Sequence, residues 1–277
     1  MSEHVDASAR TDTGSVRAVN EDSYLARSPV FLVADGMGGH ARGDKASFEA
    51  IHAFDERIPA GSTPTPDAVL DTIAAANTAV RGLSDAEDSG VAVAGTTLTG
   101  VVLVQTAEGE QRHWMVVNVG DSRVYNWDGR TLTQLSVDHS AVQELVDAGA
   151  IRPDEVASHP ERNVITRALG ADRSVEVDVW LLPASGNQTF VICSDGLCKE
   201  LSDEQIALIL SGAADADRPR ASVADALVDA AISAGGRDNV TVVVVESQMG
   251  DTGDDRGSTV DRAAGRSEFL EDTRPRS

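Results

Sequence analysis

Between residues 96 and 135 the chain carries four short runs rich in Val, Leu, Trp and Tyr, at 96–104, 114–119, 123–127 and 131–135, joined by short connections. Their period of two is that of strands. A parallel pair needs a crossover of about a dozen residues or more, so neighbours here must pair antiparallel. That excludes a doubly wound nucleotide-binding sheet for the middle of the chain. Between the third and fourth runs, Asp128-Gly129 is a hairpin signal.

The flanking segments mix helix and strand. Residues 30–34 form a short apolar run that stops at Asp35-Gly36, as a buried strand would. Apolar residues at three- and four-residue spacing predict helices over 44–58 and 67–83, the second alanine-rich. A further helix is expected over 140–148, followed by a loop-like stretch with Pro153 and Pro160. Residues 189–193 read as a strand. Ser202 with Gln205 forms a capping box before a helix over 203–210. A last helix over 223–234 leads through Gly235-Gly236 to the strongest strand signal, 240–246. Helices and antiparallel strands in separate runs predict an α+β fold, sheet packed on sheet with helices outside. One domain over 9–248 is expected, with a flexible N-terminus at 1–8 and a disordered polar tail at 249–277. The one internal linker candidate, 59–66, is short enough to be a loop.

With only 4% aromatic residues, the core must be built mainly from Val, Ala, Leu and Ile. The formal charge of −22, from 23 basic and 45 acidic residues, argues against nucleic acid and anionic membranes as partners and favours cations. No export signal and no membrane-spanning stretch is read. Cys193 and Cys198, five residues apart, suit neither a disulfide framework nor a zinc pattern, and suggest a reducing, cytoplasmic setting.

The informative carboxylates stand where strands begin or end beside glycine: Asp35 in Ala-Asp-Gly, Asp121 in Gly-Asp-Ser, Asp195 in Ser-Asp-Gly and Asp238 in Gly-Arg-Asp-Asn. Asp-Gly after a strand is ordinary turn chemistry when it occurs once. Four such sites are another matter, because strands of one sheet end along a common edge. Converging carboxylates repel one another and raise each other's pKa unless a cation intervenes. Hard oxygen donors select Mg²⁺, Mn²⁺ or Ca²⁺ over zinc. Arg17, ahead of Glu21 and Asp22, has the planar fork suited to two oxygens of a phosphate.

In this order, Arg17 to Asp22, Asp35-Gly36-Met37-Gly38-Gly39-His40, Gly95-Thr96-Thr97, Gly120-Asp121-Ser122-Arg123, Ser194-Asp195-Gly196 and Arg237-Asp238-Asn239 resemble the motifs of the PPM metal-dependent protein phosphatases, or type 2C phosphatases, of bacterial type. The resemblance spans nearly all of residues 10–246. It implies a four-layer α-β-β-α sandwich with a flap at about 138–172 and two Mg²⁺ or Mn²⁺ ions, with a weak third possible. Asp35 would bridge the two ions and position a bridging hydroxide, Asp195 and Asp238 would bind one ion, and the Gly36 carbonyl and Glu21 would serve the other directly or through water. Asp22 and Asn239 would support these ligands, and Arg17 would hold the substrate phosphate.

The implied activity is hydrolysis of phosphoserine and phosphothreonine in proteins by a cytoplasmic monomer opposing bacterial serine/threonine kinases. Ser122 and Ser194 are then turn residues rather than nucleophiles. Two departures from the family pattern matter. Met37 stands where many eukaryotic members have His, and His40, though close in sequence, is not at the matching place, which leaves water to serve as general acid. Lys199 stands where a third-ion carboxylate is found, so a third ion on Asp121 would be weak or use a flap carboxylate such as Asp154 or Asp172. The alternatives are a phosphatase dedicated to one regulator of a partner-switching pathway, and a non-catalytic relative that only binds a partner or a cation.

Overall fold

The computed structural model describes residues 4–38, 42–85, 94–106, 111–213 and 223–250. Two antiparallel sheets face each other. One has the order β1 (His4–Asp12), β11 (Val240–Met249), β10 (Gly186–Cys193), β7 (Arg123–Trp127) and β8 (Leu132–Gln134). The other runs β2 (Asp22–Arg27), β3 (Val30–Met37), β5 (Leu98–Gln105), β6 (Arg112–Val119) and β9 (Asp178–Pro183), with the short β4 (Gly95–Thr96) paired to the end of β3. Helices α1 (Gly43–Arg57) and α2 (Pro66–Asp85) cover the second sheet. Helices α4 (Asp195–Glu200), α5 (Asp203–Ala213) and α6 (Val223–Ala234) cover the first. Between β8 and β9 lie α3 (Ala141–Asp147) and a 3₁₀ turn at Pro153–Ser158.

The layering follows from which face each residue of a strand serves. In β3, Val30, Leu32 and Ala34 pack against Ala46, Ala50 and Phe54 of α1 and Ile73 of α2, while Phe31 and Val33 point into the space between the sheets. In β11, Val240, Val242 and Val244 meet Leu197, Ile206 and Leu227, while Val243 and Val245 join Trp114 and Phe190 between the sheets. Both faces of these strands are therefore buried, so they read as continuous apolar runs although their neighbours are antiparallel. The expected α+β sandwich is the fold observed.

Local signals hold at several ends. Ser202 and Gln205 form a reciprocal cap, with the Ser202 amide donating to Gln205 Oε1 at 2.8 Å and the Gln205 amide to Ser202 Oγ at 3.4 Å. Gly129 takes φ +88° in the β7–β8 turn. Ser140 Oγ accepts from the Gln143 amide at the start of α3.

Three corrections concern edges. Residues 1–8 were expected to be flexible, yet from His4 onward they belong to β1, which pairs with β11 from His4↔Gln248 to Asp12↔Val240. As an edge strand with no fully buried residue, β1 offers only Val5, Ala7 and Ala9 in alternation, of which Val5 and Ala9 pack against the core between the sheets, too weak a signal to mark a strand. The expected domain end at 248 falls inside β11, whose last residue, Met249, packs against the core between the sheets; residues 251–277 lie outside the described residues. The single strand expected at 96–104 is two, β4 and β5, interrupted at Thr97, which is taken up by Asp35.

Trp114 is fully buried between Phe31 and Phe190, at ring-centroid distances of 6.1 and 5.3 Å, and its indole N–H has no partner. Trp114→Ala should lower the unfolding free energy by about 3–5 kcal/mol in urea titrations. Trp114→Phe, which also removes the unpaired donor, should cost clearly less.

Candidate metal centre

Antiparallel pairing brings the starts of some strands and the ends of others to one rim. Asp22 opens β2 and lies directly across from Asp35 near the end of β3. Gly120 and Asp121 follow β6, Ser194 and Asp195 follow β10, and Asp238 and Asn239 precede β11. Five carboxylates from both sheets thus meet at the same end of the sandwich.

The backbone around them is built for close approach. A Cβ at Gly36 would collide with the Gly43 carbonyl, and one at Gly43 would stand 2.6 Å from Glu21 Oε1. The Gly36 amide donates to the Glu21 carbonyl at 3.1 Å. Asp35 is fixed through its main chain: its amide donates to Thr97 Oγ1 at 2.9 Å, and its carbonyl accepts from the Thr96 hydroxyl and the Thr97 amide. Thr97 Oγ1 in turn lies 2.8 Å from Ser122 Oγ.

Asp22 ties the two sheets together. Its Oδ2 accepts from Ser194 Oγ at 2.8 Å and Thr241 Oγ1 at 2.7 Å, while the Thr241 amide donates to Ser194 Oγ at 2.9 Å. Asn239, nearly fully buried, accepts from the Glu21 amide and donates to the Thr13 and Val19 carbonyls, so it fixes the loop bearing Arg17 and Glu21 against β11. Arg17 Nη2 lies 2.8 Å from Asp238 Oδ1 at the half-exposed rim.

Electrostatically the cluster is strained. Burial, then the charges of Asp22, Asp195 and Asp121, drives the Asp35 carboxyl well above the usual range. Asp22 is pushed up to about 7 by burial, against its two hydroxyl donors, with Asp195 and Asp238 adding to the rise. Asp121 also reaches about 7, from burial and then Asp195 and Asp138. Asp195 is raised by burial despite Lys199. Asp238 alone is lowered: burial works against this, but Lys199 and then Arg17 outweigh it.

Lys199 places a cation inside the cluster. From the last turn of α4 its Nζ lies 2.5 Å from Asp195 Oδ2 and 2.9 Å from Asp238 Oδ2. Among the described residues no three acidic side chains are gathered around a common point; Asp195 and Asp238 converge on the ammonium. Even so, Oδ1 of Asp22, Asp121 and Asp195 are buried with no hydrogen-bond partner. Orphaned, hard, anionic oxygens at one rim fit divalent Mg²⁺ or Mn²⁺ in type and place.

Arg17, Glu21, Asp22, Asp35, Gly36, Asp121, Asp195, Asp238 and Asn239 thus all lie at this rim or on the segments that form it. Asp154 and Asp172 were the carboxylates expected to serve a weak third ion with Asp121. Asp154 is paired with Arg152, and the Asp172 carbonyl accepts from Asn77. Asp138 adds to the rise at Asp121, and Arg123 grips it at 2.7–3.1 Å. Met37 ends β3 opposite Gly95, and His40 lies outside the described residues. Reading the sequence overlooked Thr241, whose signal is one hydroxyl in an otherwise all-valine stretch directly after Asp238-Asn239, and took Ser194 for a turn residue although it also donates to Asp22.

A profile of the family described as protein phosphatase 2C matches residues 15–230. The chain belongs to that family. Its relatives include the serine/threonine phosphatase Stp of Listeria monocytogenes, 34% identical over 259 residues that cover 90% of this chain and 98% of that one. Among solved structures, the Mycobacterium tuberculosis phosphatase PstP/Ppp superposes with a TM-score of 0.74 at 38% identity, over 88% of this chain and 99% of that one. The catalytic domain of PstP in complex with 2 manganese ions matches with a TM-score of 0.74 at 35% identity, over 90% and 100%. No helix among the described residues of this type 2C phosphatase chain is long and apolar enough to cross a membrane.

Two outcomes follow for the metal-free protein. Asp22 and Asp121 keep their protons to about 7, whereas a free Asp titrates near 4, so between these limits the native state binds more protons than the unfolded chain and stability falls as pH rises. In chelator, Tm should be lower at about pH 8 than at about pH 5; a Tm that rises over this window would contradict the arrangement. Lys199→Met, by removing the internal cation, should lower Tm in chelator and enlarge the rise in Tm that Mn²⁺ produces, as read by scanning calorimetry.

Proposed function

We propose that this chain hydrolyses phosphoserine and phosphothreonine in proteins, with two Mn²⁺ or Mg²⁺ ions held at the carboxylate rim. The observation that carries the reading is the meeting of five carboxylates from two sheets, three of them with an orphaned buried oxygen, beside a half-exposed arginine. Asp35, Asp195 and Asp238 would hold the ions directly, and the Gly36 carbonyl and Glu21 would complete the set directly or through water. Asp121 is the candidate ligand of a weak third ion.

When bound, such ions supply Lewis-acid charge for the transferring phosphoryl group and acidify a water. The protein's own side chains do the rest. Arg17, anchored by one nitrogen to Asp238, presents its fork at the open rim for two phosphate oxygens. Asp22, braced by the Ser194 and Thr241 hydroxyls, orients the strand end that carries Asp35. Asn239 sets the Arg17 loop relative to Asp238. Ser122 and Ser194 are engaged in hydrogen bonds to Thr97 and Asp22, which supports direct attack by water over a serine nucleophile. The reading extends to a cytoplasmic monomer: two free thiols suit a reducing compartment, and a charge of −22 opposes self-association.

The test is phosphate release from a phosphothreonine peptide with Mn²⁺, with Mg²⁺ and with chelator. Turnover should require the metal and vanish in Asp195→Asn. Asp22→Asn, which touches no substrate, should weaken metal affinity or activity by about 10–100-fold. Arg17→Ala should raise KM for the peptide more than it lowers metal affinity. Metal binding without turnover, on the peptide and on an aryl phosphate alike, would sink the hydrolytic reading in favour of a partner-binding relative.

A further inference from the structure

The sequence spacing of Cys193 and Cys198 predicts no disulfide framework, and both residues are free thiols, yet the fold sets Cys193 Sγ 3.7 Å from Cys198 Sγ. The contact is held from both sides. Cys193 ends β10, fully buried, and is paired to Arg123 on β7 and to Val242 on β11. Cys198 sits on α4, one turn beyond Asp195, and is half-buried. Behind the pair, the Tyr125 hydroxyl lies 3.4 Å from Cys198 Sγ and accepts from Arg123 Nη1 at 3.0 Å. The Tyr125 hydroxyl donates to Asp203 Oδ1 at 3.0 Å, while the Cys193 contact and then the Arg123 charge hold the Cys198 thiol below its usual range in spite of burial. The segment between the two sulfurs contains Ser194 and Asp195, two residues of the carboxylate rim.

We propose that Cys193 and Cys198 are a peroxide-reactive thiol pair whose oxidation closes an intramolecular disulfide around Ser194 and Asp195. The Cys198 thiolate attacks one oxygen of hydrogen peroxide; the S–O bond forms, the O–O bond breaks, and the second oxygen departs as hydroxide. Cys198 is thereby oxidised to a sulfenic acid and the peroxide is reduced. The Cys193 sulfur then attacks the Cys198 sulfur; the S–S bond forms, the S–O bond breaks, and water leaves with the Cys193 proton. A dithiol reductant returns two electrons and restores both thiols. The Sγ–Sγ distance must close from 3.7 Å to about 2 Å. Because β10 is fixed between two neighbours, the shorter α4 gives way, and it carries both Asp195 and Lys199. The expected effect on the rim, which rests on the two-ion reading above, is a fall of about tenfold in Mn²⁺ affinity, the size that outer-shell disturbance typically produces.

The full chain is treated with hydrogen peroxide in chelator, and intact mass, free-thiol count and non-reducing peptide maps are compared. Both thiols should disappear together with the loss of two hydrogens, a Cys193–Cys198 linked peptide should appear, and dithiothreitol should reverse both. Cys193→Ala should leave a dimedone-trappable sulfenic acid on Cys198, whereas Cys198→Ser should leave Cys193 unreacted at the same dose. Sulfinic acid on Cys198 without a disulfide, a disulfide between two chains, or two unreacted thiols in the unmutated chain would each overturn the proposal, independently of how the variants fold. Mn²⁺ titration by calorimetry separates the second part. An oxidised form that binds Mn²⁺ as tightly as the reduced form removes the coupling to the rim, while a reduced form that binds no Mn²⁺ sinks the two-ion reading and leaves the thiol result standing.

Discussion

Burying several carboxylates within reach of one another is unfavourable, and the rest of this structure is arranged around that fact. Each of Asp22, Asp35, Asp121 and Asp195 is pushed above its usual range first by burial and then by its neighbours. A lone buried anion would simply stay protonated. Several held rigidly at one rim form a standing demand for positive charge, met in this conformation by Lys199 between Asp195 and Asp238 and by Arg17 on the far oxygen of Asp238. The two-sheet architecture makes such an arrangement sustainable. Strands buried on both faces cannot shift register without moving an apolar residue from one packed layer into another.

The links between the sheets follow the same logic. Asp22 belongs to one sheet, while Ser194 follows β10 and Thr241 lies in β11 of the other, so the two hydroxyls that steady the carboxylate also join the layers at the edge where the aliphatic core runs out. Asn239 does the same for the Arg17 loop with three hydrogen bonds. Structural and site roles therefore coincide in the same few side chains, and the hydrogen bonds at the rim leave the Oδ1 atoms of Asp22, Asp121 and Asp195 unpaired.

Much of this was legible from residue order. The buried strands β3, β5, β6, β10 and β11 announced themselves as dense runs of Val, Leu, Ile and Phe, and the helices α1, α2, α5 and α6 by their spacing. The strands that went unread, β1, β2 and β9, are only partly buried; each sends just two or three side chains, such as Val5 and Ala9, Leu25 and Ala26, or Trp180 and Leu182, against the cores, so their apolar signal is short and weak. The break at Thr97 was equally hidden, because it is imposed by hydrogen bonds to Asp35 sixty-odd residues away along the chain.

By itself, the sequence determined which groups would stand at strand ends beside glycine, that their donors were hard oxygens, and that close strands had to pair antiparallel. These are local matters, settled by side-chain chemistry and chain length. Only the tertiary structure decided that Lys199 closes on Asp195 and Asp238, that Arg123 grips Asp138, that Thr241 braces Asp22, and that two thiols five residues apart touch. Those contacts depend on register and on the angle at which a helix leaves its strand, which are set by packing across the whole sandwich rather than by any residue's neighbours in sequence.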